Sequence, residues 1–286
     1  MRPGNLRVRV LLAVVGLPLL FALIFLLPYY RHLGLNVAAV AVTALGALEL
    51  EALLAAKGTN RLRALAVLSA LIPAAAYLEI TGLIRPVWFH VVIVTLLSVG
   101  LLDLLRVPRG GDMSPLLQKA AGSFLLLIYP ALFVSFVVRI TGLPEATLAL
   151  LFFFSLNFGN DIMAYLVGTF LGSRTRLGLP VSPNKSIAGF AAGLASSTGI
   201  ALLFRRLLPG FFPVSYPVAA AFGLGIGLLT IAGDLIESAF KRSAGVKDSG
   251  FIIPGRGGVL DSVDSLLYSA PLFYFVFRGF SGYISQ

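Results

Sequence analysis

Charged residues of both signs are concentrated in one short segment near the C-terminus of this 286-residue chain. Residues 233–265 read GDLIESAFKRSAGVKDSGFIIPGRGGVLDSVDS and contain five of the twelve carboxylates. Asp234, Glu237 and Lys241 are spaced at i, i+3 and i+7, so they share one face of a helix. Asp261 and Asp264 share a helix face in the same way. The spacing therefore predicts two acidic helix faces joined by a loop that carries basic residues.

These residue types favour a hard cation and phosphate groups over histidine or cysteine chemistry. The chain has no cysteine and only two histidines, whereas Mg²⁺ takes one or two carboxylates, waters and phosphate oxygens. Nearby basic side chains would complement the charge of a phosphate: Lys241, Arg242, Lys247 and Arg256. The combination of carboxylates, a metal ion, phosphate groups and basic side chains predicts phosphoryl or nucleotidyl transfer.

Two further segments are candidates for phosphate contacts. The turn IPGRGG, residues 253–258, leads into the last helix, and its glycines could leave backbone N–H groups open to an anion. Before another helix, Ser182, Lys185 and Ser186 could also donate to a phosphate. The alternative for this second segment is a basic loop in which Ser186 caps the helix.

The elements that position these residues must be membrane helices. The chain is 58% hydrophobic and 12% charged, which is incompatible with an ordinary soluble domain. Its net charge of +10 could indicate a nucleic-acid partner, but basic residues in a membrane protein more often mark the cytoplasmic side and meet anionic lipid. We therefore expect membrane lipids as partners of the protein and no nucleic-acid partner.

Apolar runs of about 20 residues, the length that crosses a bilayer, predict an all-α polytopic fold. We expect about nine spans, at residues 10–28, 33–56, 62–84, 86–105, 120–138, 146–170, 187–204, 214–240 and 259–278. One set of alternate loops holds sixteen Lys and Arg residues and the other holds six, which places the N-terminus in the cytoplasm.

This topology brings acidic residues to the inner interface of the membrane. Asp234 lies about 24 Å along its helix from the outer face, against a core of about 30 Å. Asp161 reaches a similar depth, and Asp261 begins the ninth span at the same level. Because an ionised side chain in a bilayer costs about 2.5–3.5 kcal/mol, such a cluster indicates function. The simpler alternative is a set of interfacial ion pairs, such as Glu237 with Lys241.

Other polar and small residues in the spans carry less information. The stretches FGLGIGLL and AGFAAGLASS are typical of helices that approach each other closely. Glu49, Glu51 and Glu79 lie in the N-terminal spans, and nothing adjacent in the sequence assigns them a role.

The segment from Ser238 to Asp264 resembles the C-terminal signature of the phosphatidate cytidylyltransferase (CDP-diacylglycerol synthase) family, SxxKRxxxxKDxxxxxPxHGGxxDRxD. Its serine, Lys-Arg, Lys-Asp, Pro, Gly-Gly and both aspartates match in register. Upstream, GNDIMAYLVG and SPNKSIAGF resemble two further segments of the family. The resemblance covers roughly residues 145–275. We therefore expect an N-terminal region, 1–140, and a catalytic region, 141–286, within one continuous membrane domain.

The resemblance implies an enzyme that converts CTP and phosphatidate into CDP-diacylglycerol and pyrophosphate with Mg²⁺, a second cation being left open. It implies a multi-pass protein of the plasma membrane, which is the inner membrane of the cell, with its active site facing the cytoplasm; a homodimer is also left open. We expect catalytic roles for Asp234, Asp261, Lys241 and Asp161, with the three aspartates as metal ligands or, for Asp161, a CTP contact. The expected phosphate contacts are Ser182, Lys185, Ser238, Arg242, Lys247 and Arg256.

Two departures from the signature leave alternatives open. Arg256 replaces the family's histidine, and Ser262 replaces an arginine that could hold phosphate bidentately. One alternative is a divergent relative that binds CTP or anionic lipid without turnover, or that uses another substrate. A lipid transporter is a further alternative, although the carboxylates are predicted near one face and not at the midplane.

Overall fold

The computed structural model describes residues 15–16, 18–56, 62–105, 113, 116–255 and 257–282. Within this part the chain is helical and forms no β-sheet, which confirms the predicted all-α class. The α-helices are α1 (Tyr29–Ala55), α2 (Arg63–Leu68), α3 (Leu71–Ile80), α4 (Pro86–Leu102), α5 (Leu116–Leu126), α6 (Phe133–Ile140), α7 (Ala146–Leu171), α8 (Ile187–Leu207), α9 (Tyr216–Ser243) and α10 (Leu260–Gly282).

Seven helical segments of the described residues are long and apolar enough to cross a membrane, so the chain is a multi-pass membrane protein. They correspond to the second to eighth predicted spans. Of the first predicted span, 10–28, the structure describes residues 15–16 and 18–28, which include a π-helical segment, Ala22–Leu26. The ninth corresponds to α10, a helix of 23 residues that also carries Asp261, Asp264 and Arg278. The count of nine and the cytoplasmic N-terminus stay predictions.

Two of the predicted spans are interrupted helices. The span predicted at 62–84 is broken at Ser69, whose hydroxyl donates to the Ala66 carbonyl at 2.6 Å. The span predicted at 120–138 contains a π-helical segment, Leu127–Leu132, that includes Pro130. Proline has no N–H and its ring displaces the preceding turn, so an α-helix must deform there.

The chain divides into two compact units. The first comprises residues 1–142 and 243–262, and the second comprises residues 143–242 and 263–286. Residues 243–262, which hold much of the signature, are thus grouped with the N-terminal helices. The predicted division at residue 140 within one membrane domain stays a prediction.

A partly buried ion pair stabilises the first unit beside an apolar core that includes Ile72, Ala76 and Val138. Arg139 of α6 binds Glu79 of α3 through two N–H···O contacts of 3.2 and 2.6 Å. Its guanidinium also stacks 4.3 Å above the Phe89 ring. Pairing of this kind compensates the cost of charge in an apolar environment. It gives Glu79, which the sequence left unassigned, a structural role.

Aromatic rings pack one end of the second unit. Phe152 of α7 lies at its centre, with ring centroids 4.3 Å from Phe204 of α8, 5.1 Å from Phe212 and 5.8 Å from Phe273 of α10. Buried aromatic pairs of this geometry are worth about 0.5–1.5 kcal/mol each beyond their burial. This end of the unit is therefore a rigid base for the polar side chains that follow along α7.

A buried polar layer comes next along α7 and links three helices. Asn157 Oδ1 accepts hydrogen bonds from Thr230 of α9 at 2.8 Å and from Ser269 of α10 at 2.7 Å. All three side chains are fully buried. Because an unpaired polar group in an apolar interior is costly, this layer fixes the register of the helices.

Glycines allow α8 and α9 to approach α7 and each other, as the sequence predicted. A Cβ at Gly193 would lie 2.7 Å from Asn160 Oδ1, and one at Gly223 would lie 2.6 Å from the Ser197 carbonyl. A Cβ at Gly227 would meet the Ser197 hydroxyl at 2.2 Å. These positions therefore have no room for a side chain, which confirms the packing interpretation of both glycine-rich stretches.

Replacing Asn157 by leucine is expected to lower the free energy of unfolding by about 1–3 kcal/mol, because the buried hydroxyls of Thr230 and Ser269 lose the acceptor that links their helices to α7 and keep only carbonyls of their own helices. The measurement is denaturation of the purified protein in detergent. Thr169→Val is the control, since the Thr169 hydroxyl bonds only its own helix, at the Tyr165 carbonyl, in an exposed position. Equal stability of Asn157→Leu and Thr169→Val would contradict the role given to this layer.

Candidate active site

Asp234 and Lys185 form an ion pair in the second unit. Lys185 Nζ contacts Asp234 Oδ2, and the two side chains are 34% and 25% exposed. This exposure means that both groups can still meet a ligand. Asp234 lies on α9 and Lys185 lies in the segment before α8. The pair therefore joins two segments that are 49 residues apart in the sequence.

A turn before α8 places Lys185 at this position. The Leu177 N–H donates to the Lys185 carbonyl at 2.9 Å, and the Ser182 N–H donates to the Leu179 carbonyl at 3.0 Å. Arg242, at the end of α9, donates from Nε to the Val181 carbonyl at 3.4 Å. Three predicted phosphate contacts, Ser182, Lys185 and Arg242, thus belong to one local structure.

Ser186 caps α8, as the alternative interpretation of this segment predicted. Its Oγ accepts from the Gly189 N–H at 3.1 Å, and the side chain is buried. Capping satisfies one of the four N–H groups that an α-helix leaves without an intrahelical partner. Ser186 is therefore a structural residue of the turn, and Ser182 and Lys185 remain as the candidates for binding.

Asp264 belongs to the same group of charges, although the sequence analysis did not choose it as a site residue. It interacts electrostatically with Asp234, Asp161 and Lys241, of which the first two repel its negative charge. Ser265, the next residue, donates from its hydroxyl to Asp161 Oδ1 at 3.4 Å and from its backbone N–H to Asp264 Oδ1 at 2.7 Å. In the sequence, the position of Asp264 one helical turn after Asp261 was the sign that it could belong to the site.

Lys241 and Glu237 form a buried ion pair one turn apart on α9. This confirms the ion-pair interpretation for these two residues. Glu237 is fully buried and Lys241 is 9% exposed, so Lys241 is held by the protein. Ser238, also predicted to bind phosphate, is buried on the same helix.

This group of charges, which we call the acidic cluster, is defined by Asp161, Lys185, Asp234, Glu237, Lys241 and Asp264. Its four carboxylates outnumber its two ammonium groups by two. Because like charges at short range repel, a divalent cation would relieve the excess.

The described residues contain no group of three or more His, Cys, Asp or Glu side chains that could hold a metal ion by themselves. Mg²⁺ does not require such a group, since it commonly takes one or two protein carboxylates and completes its shell with waters and substrate phosphates. The acidic cluster therefore fits a cation that is bound together with a phosphate-bearing substrate.

Asp261 lies in the first unit, where it organises the signature loop, residues 244–259 between α9 and α10. Its Oδ2 accepts from the Gly258 N–H at 2.7 Å, from the Ser249 N–H at 2.8 Å and from the Ser249 hydroxyl at 2.9 Å. The carboxylate thus links Ser249, in the first half of the loop, to Gly258, near its end. That Asp261 and Asp234 share a metal ion stays a prediction.

The last amide of the glycine turn and the two amides that follow it already have acceptors in the protein, contrary to the expectation that they are open to a phosphate. The N–H groups of Val259 and Leu260 donate to the carboxylate of Glu49, and that of Gly258 donates to Asp261. The anions that meet these amides are therefore the protein's own carboxylates. Nothing in the sequence indicated Glu49, because the amides that it contacts are about 210 residues away along the chain.

The remaining predicted site residues lie in or next to the signature loop. Lys247 is exposed, so it is available to a ligand from solvent. Arg256 lies outside the described residues. Ser262, which replaces the arginine of the signature, donates from its hydroxyl to the Gly258 carbonyl at 3.3 Å. Serine at this position thus adds a contact within the loop.

Comparison with known proteins supports the resemblance that the sequence suggested. The model of the cytidylyltransferase family matches residues 7–280. The chain is 42% identical over 132 residues to a phosphatidate cytidylyltransferase of Synechocystis sp., a match that covers 46% of this chain and 44% of the relative.

Two further relatives match at similar levels. The uncharacterized protein YnbB of Escherichia coli is 38% identical over 138 residues, covering 48% of this chain and 45% of YnbB. A phosphatidate cytidylyltransferase of Bacillus subtilis is 37% identical over 158 residues, covering 55% and 58%. The chain therefore spans about half the length of the curated relatives that it matches.

Proposed function

Because the chain belongs to the cytidylyltransferase family, whose model spans residues 7–280, we propose that it transfers the cytidylyl group of CTP to phosphatidate. The products are CDP-diacylglycerol and pyrophosphate, and the reaction is a step of phospholipid biosynthesis. The observation that carries this proposal is the acidic cluster of the second unit. There, an excess of carboxylates lies beside Lys185 and Lys241 on segments that match the family.

The reaction requires little acid–base chemistry from the protein. A phosphate oxygen of phosphatidate, largely ionised at neutral pH, attacks the α-phosphorus of CTP. The new P–O bond forms as the bond between the α-phosphorus and its bridging oxygen to the β-phosphorus breaks, and the electron pair leaves with pyrophosphate. The difficulty is the approach of two anions, so positioning and charge compensation are what the residues must supply.

We propose that basic residues position the phosphates. Lys185 is paired with Asp234 at an exposed position, so a phosphate can replace the carboxylate as its partner. Lys241 is held by Glu237 and compensates charge from a fixed position. Ser182, Arg242, Lys247, Arg256 and Ser238 are proposed to assist.

Mg²⁺ fits the donor set, and we propose Asp234 and Asp161 as its ligands, with Asp264 close enough to act electrostatically. Asp261 is proposed as a further ligand through its second carboxylate oxygen. When bound, the cation would screen the phosphates and polarise the α-phosphate. Asp234 would exchange its contact with Lys185 for the metal, which frees the lysine for phosphate.

The membrane supplies one of the two substrates. CTP reaches the site from water, whereas phosphatidate arrives by lateral movement in the bilayer. An interfacial site on the cytoplasmic side of the plasma membrane satisfies both routes, and the distribution of basic residues supports that orientation.

The test is release of pyrophosphate by the purified protein in lipid nanodiscs, with a panel of nucleotides and lipid phosphates. We expect activity with CTP and phosphatidate in the presence of Mg²⁺ and its loss in EDTA. Equal release in nanodiscs lacking phosphatidate, or no release with any pair of substrates, would contradict the proposal.

A second candidate function is binding of CTP or anionic lipid without turnover. Ser262 favours it, because serine cannot hold phosphate bidentately as the family's arginine can. If the chain is an enzyme as it stands, the double variant Arg256→His, Ser262→Arg should change the rate of pyrophosphate release by less than about tenfold. An inert wild type that becomes active in the double variant would establish the second candidate.

A further inference from the structure

The proposed reaction leaves unexplained a buried carboxylate in the first unit. Glu49 lies two turns before the end of α1, and it is only 7% exposed. Its Oε1 accepts from the Val259 N–H at 2.9 Å, and its Oε2 accepts from the Leu260 N–H at 2.8 Å. The Ser249 hydroxyl lies 3.0 Å from Oε2, and its single proton is shared between this oxygen and Asp261 Oδ2. Glu49 therefore contacts the signature loop at Ser249 and at Val259, its last residue.

These contacts place a negative charge at the first turn of α10. The backbone N–H groups at a helix N-terminus carry partial positive charge, which favours a carboxylate at that position. The two backbone donors and the shared Ser249 hydroxyl also compensate the cost of burying the charge. A neutral side chain of the same size could not replace these interactions, since an amide presents N–H donors to the N–H donors of the loop.

Ser249 connects Glu49 to Asp261. The Ser249 hydroxyl lies 3.0 Å from Glu49 Oε2 and 2.9 Å from Asp261 Oδ2, and the side chain is buried. Asp261 also accepts from the N–H groups of Ser249 and Gly258. The position of the Asp261 carboxylate is therefore determined in part by Glu49, through a serine that both residues contact.

The loop glycines are adapted to the Glu49 carboxylate. A Cβ at Gly250 would lie 2.4 Å from Glu49 Oε1 and 2.8 Å from its carboxyl carbon. A Cβ at Gly258 would lie 2.3 Å from Glu49 Oε2 and 2.1 Å from the Ser249 hydroxyl. At Gly250 the three nearest atoms that such a Cβ would meet all belong to Glu49. Glycine is required at these positions because the carboxylate occupies the space of a side chain.

We propose that Glu49 is a positioning residue for the reaction, which fixes the signature loop so that Asp261 is presented in one orientation. This inference rests on the proposed function, since Asp261 acts there as a ligand of the cation. Glu49 touches no reacting atom. Its effect on the reaction passes through Ser249, the first turn of α10 and Asp261.

The first variant that tests this proposal is Glu49→Gln, which keeps the size of the side chain. We expect faster hydrogen exchange at the amides of Val259 and Leu260, because an N–H donor replaces one of their acceptors. We also expect kcat to fall about 10- to 100-fold, the usual effect of disturbing a residue that orients a metal ligand. KM for CTP and for phosphatidate should change by less than about threefold.

A double-mutant cycle with Gly250→Ala separates positioning from general destabilisation. Gly250→Ala alone should lower kcat by a similar factor, because the new methyl group collides with Glu49. In the background of Glu49→Ala the methyl group has space, so the double variant should be no less active than Glu49→Ala alone. Such non-additivity indicates that the two residues act on each other directly.

Glu51→Gln is the matched control on the same helix. Its carboxylate is also buried, but it accepts from the Leu62 N–H at 3.1 Å and lies near Arg63. This variant should leave exchange in residues 249–260 unchanged and kcat within about twofold of wild type.

The outcomes distinguish this inference from the proposed function. Unchanged loop exchange in Glu49→Gln, full additivity in the cycle, or an equal loss of kcat in Glu51→Gln would overturn the positioning role while the wild type remains active. A wild type that releases no pyrophosphate would overturn the proposed function, and with it the positioning role. The exchange measurement does not depend on activity, so it would still establish whether Glu49 holds the loop.

Discussion

Asp234→Asn is expected to lower the rate of pyrophosphate release on the order of 10³-fold, with the fold intact. Asp234 is a partly exposed carboxylate of the acidic cluster, and its ion pair with Lys185 is accessible to ligands. Asparagine keeps the size of the side chain and removes the charge that would bind the cation. Loss of charge stabilisation at such a site costs several kcal/mol, and about 1.4 kcal/mol corresponds to a factor of ten in rate.

The control for this experiment is Glu145→Gln, which removes one carboxylate charge from the same unit at an exposed position before α7. It should retain activity within about twofold of wild type. Thermal unfolding of both variants should remain close to that of the wild type. Activity of Asp234→Asn within tenfold of wild type would exclude Asp234 as a metal ligand.

Asp261→Asn is expected to abolish activity while leaving the signature loop ordered. The asparagine carbonyl can occupy the position of Oδ2, where it would still accept from Ser249 and Gly258. The second oxygen, proposed as a metal ligand, is replaced by the amide nitrogen, which cannot bind a cation. We therefore expect a loss of at least about 10³-fold in kcat, with nearly normal hydrogen exchange at Gly258.

Asp261→Ala provides the comparison, because alanine removes both oxygens. It should lose activity and also expose the amides of Ser249 and Gly258 to exchange. If Asp261→Asn turns over like the wild type, Asp261 is a structural residue of the loop and not a ligand. If both variants show the same loss of loop protection, the activity loss would be attributable to disorder.

The sequence predicted the features that depend on local pattern. Apolar runs located seven of the helices that can span a membrane. The spacing of Glu237 and Lys241 predicted their ion pair, and a serine before an apolar helix indicated the Ser186 cap. Small residues at helix interfaces predicted close approach at Gly223 and Gly227. In each case the partners lie within a few residues, or the reason is steric and needs no knowledge of the partner.

The features that the sequence did not predict depend on long-range packing. Glu49 meets the signature loop across about 210 residues, and no spacing rule connects them. The amides at the end of the loop were expected to bind phosphate because the preceding glycines resemble an anion-binding turn, but Asp261 accepts from Gly258, and Glu49 accepts from Val259 and Leu260. The π-helical segment around Pro130 is different, since proline in an apolar run is a signal that could have indicated the irregularity.

The central claim is that the acidic cluster binds a divalent cation together with the phosphates of CTP. The most direct test is electron paramagnetic resonance of Mn²⁺ added to the protein with CTP, in wild type and in Asp234→Asn. We expect a bound Mn²⁺ population with hyperfine coupling to the phosphorus of CTP, which Mg²⁺ displaces and which Asp234→Asn lacks. Equal Mn²⁺ binding in the two proteins, or binding in neither, would contradict it.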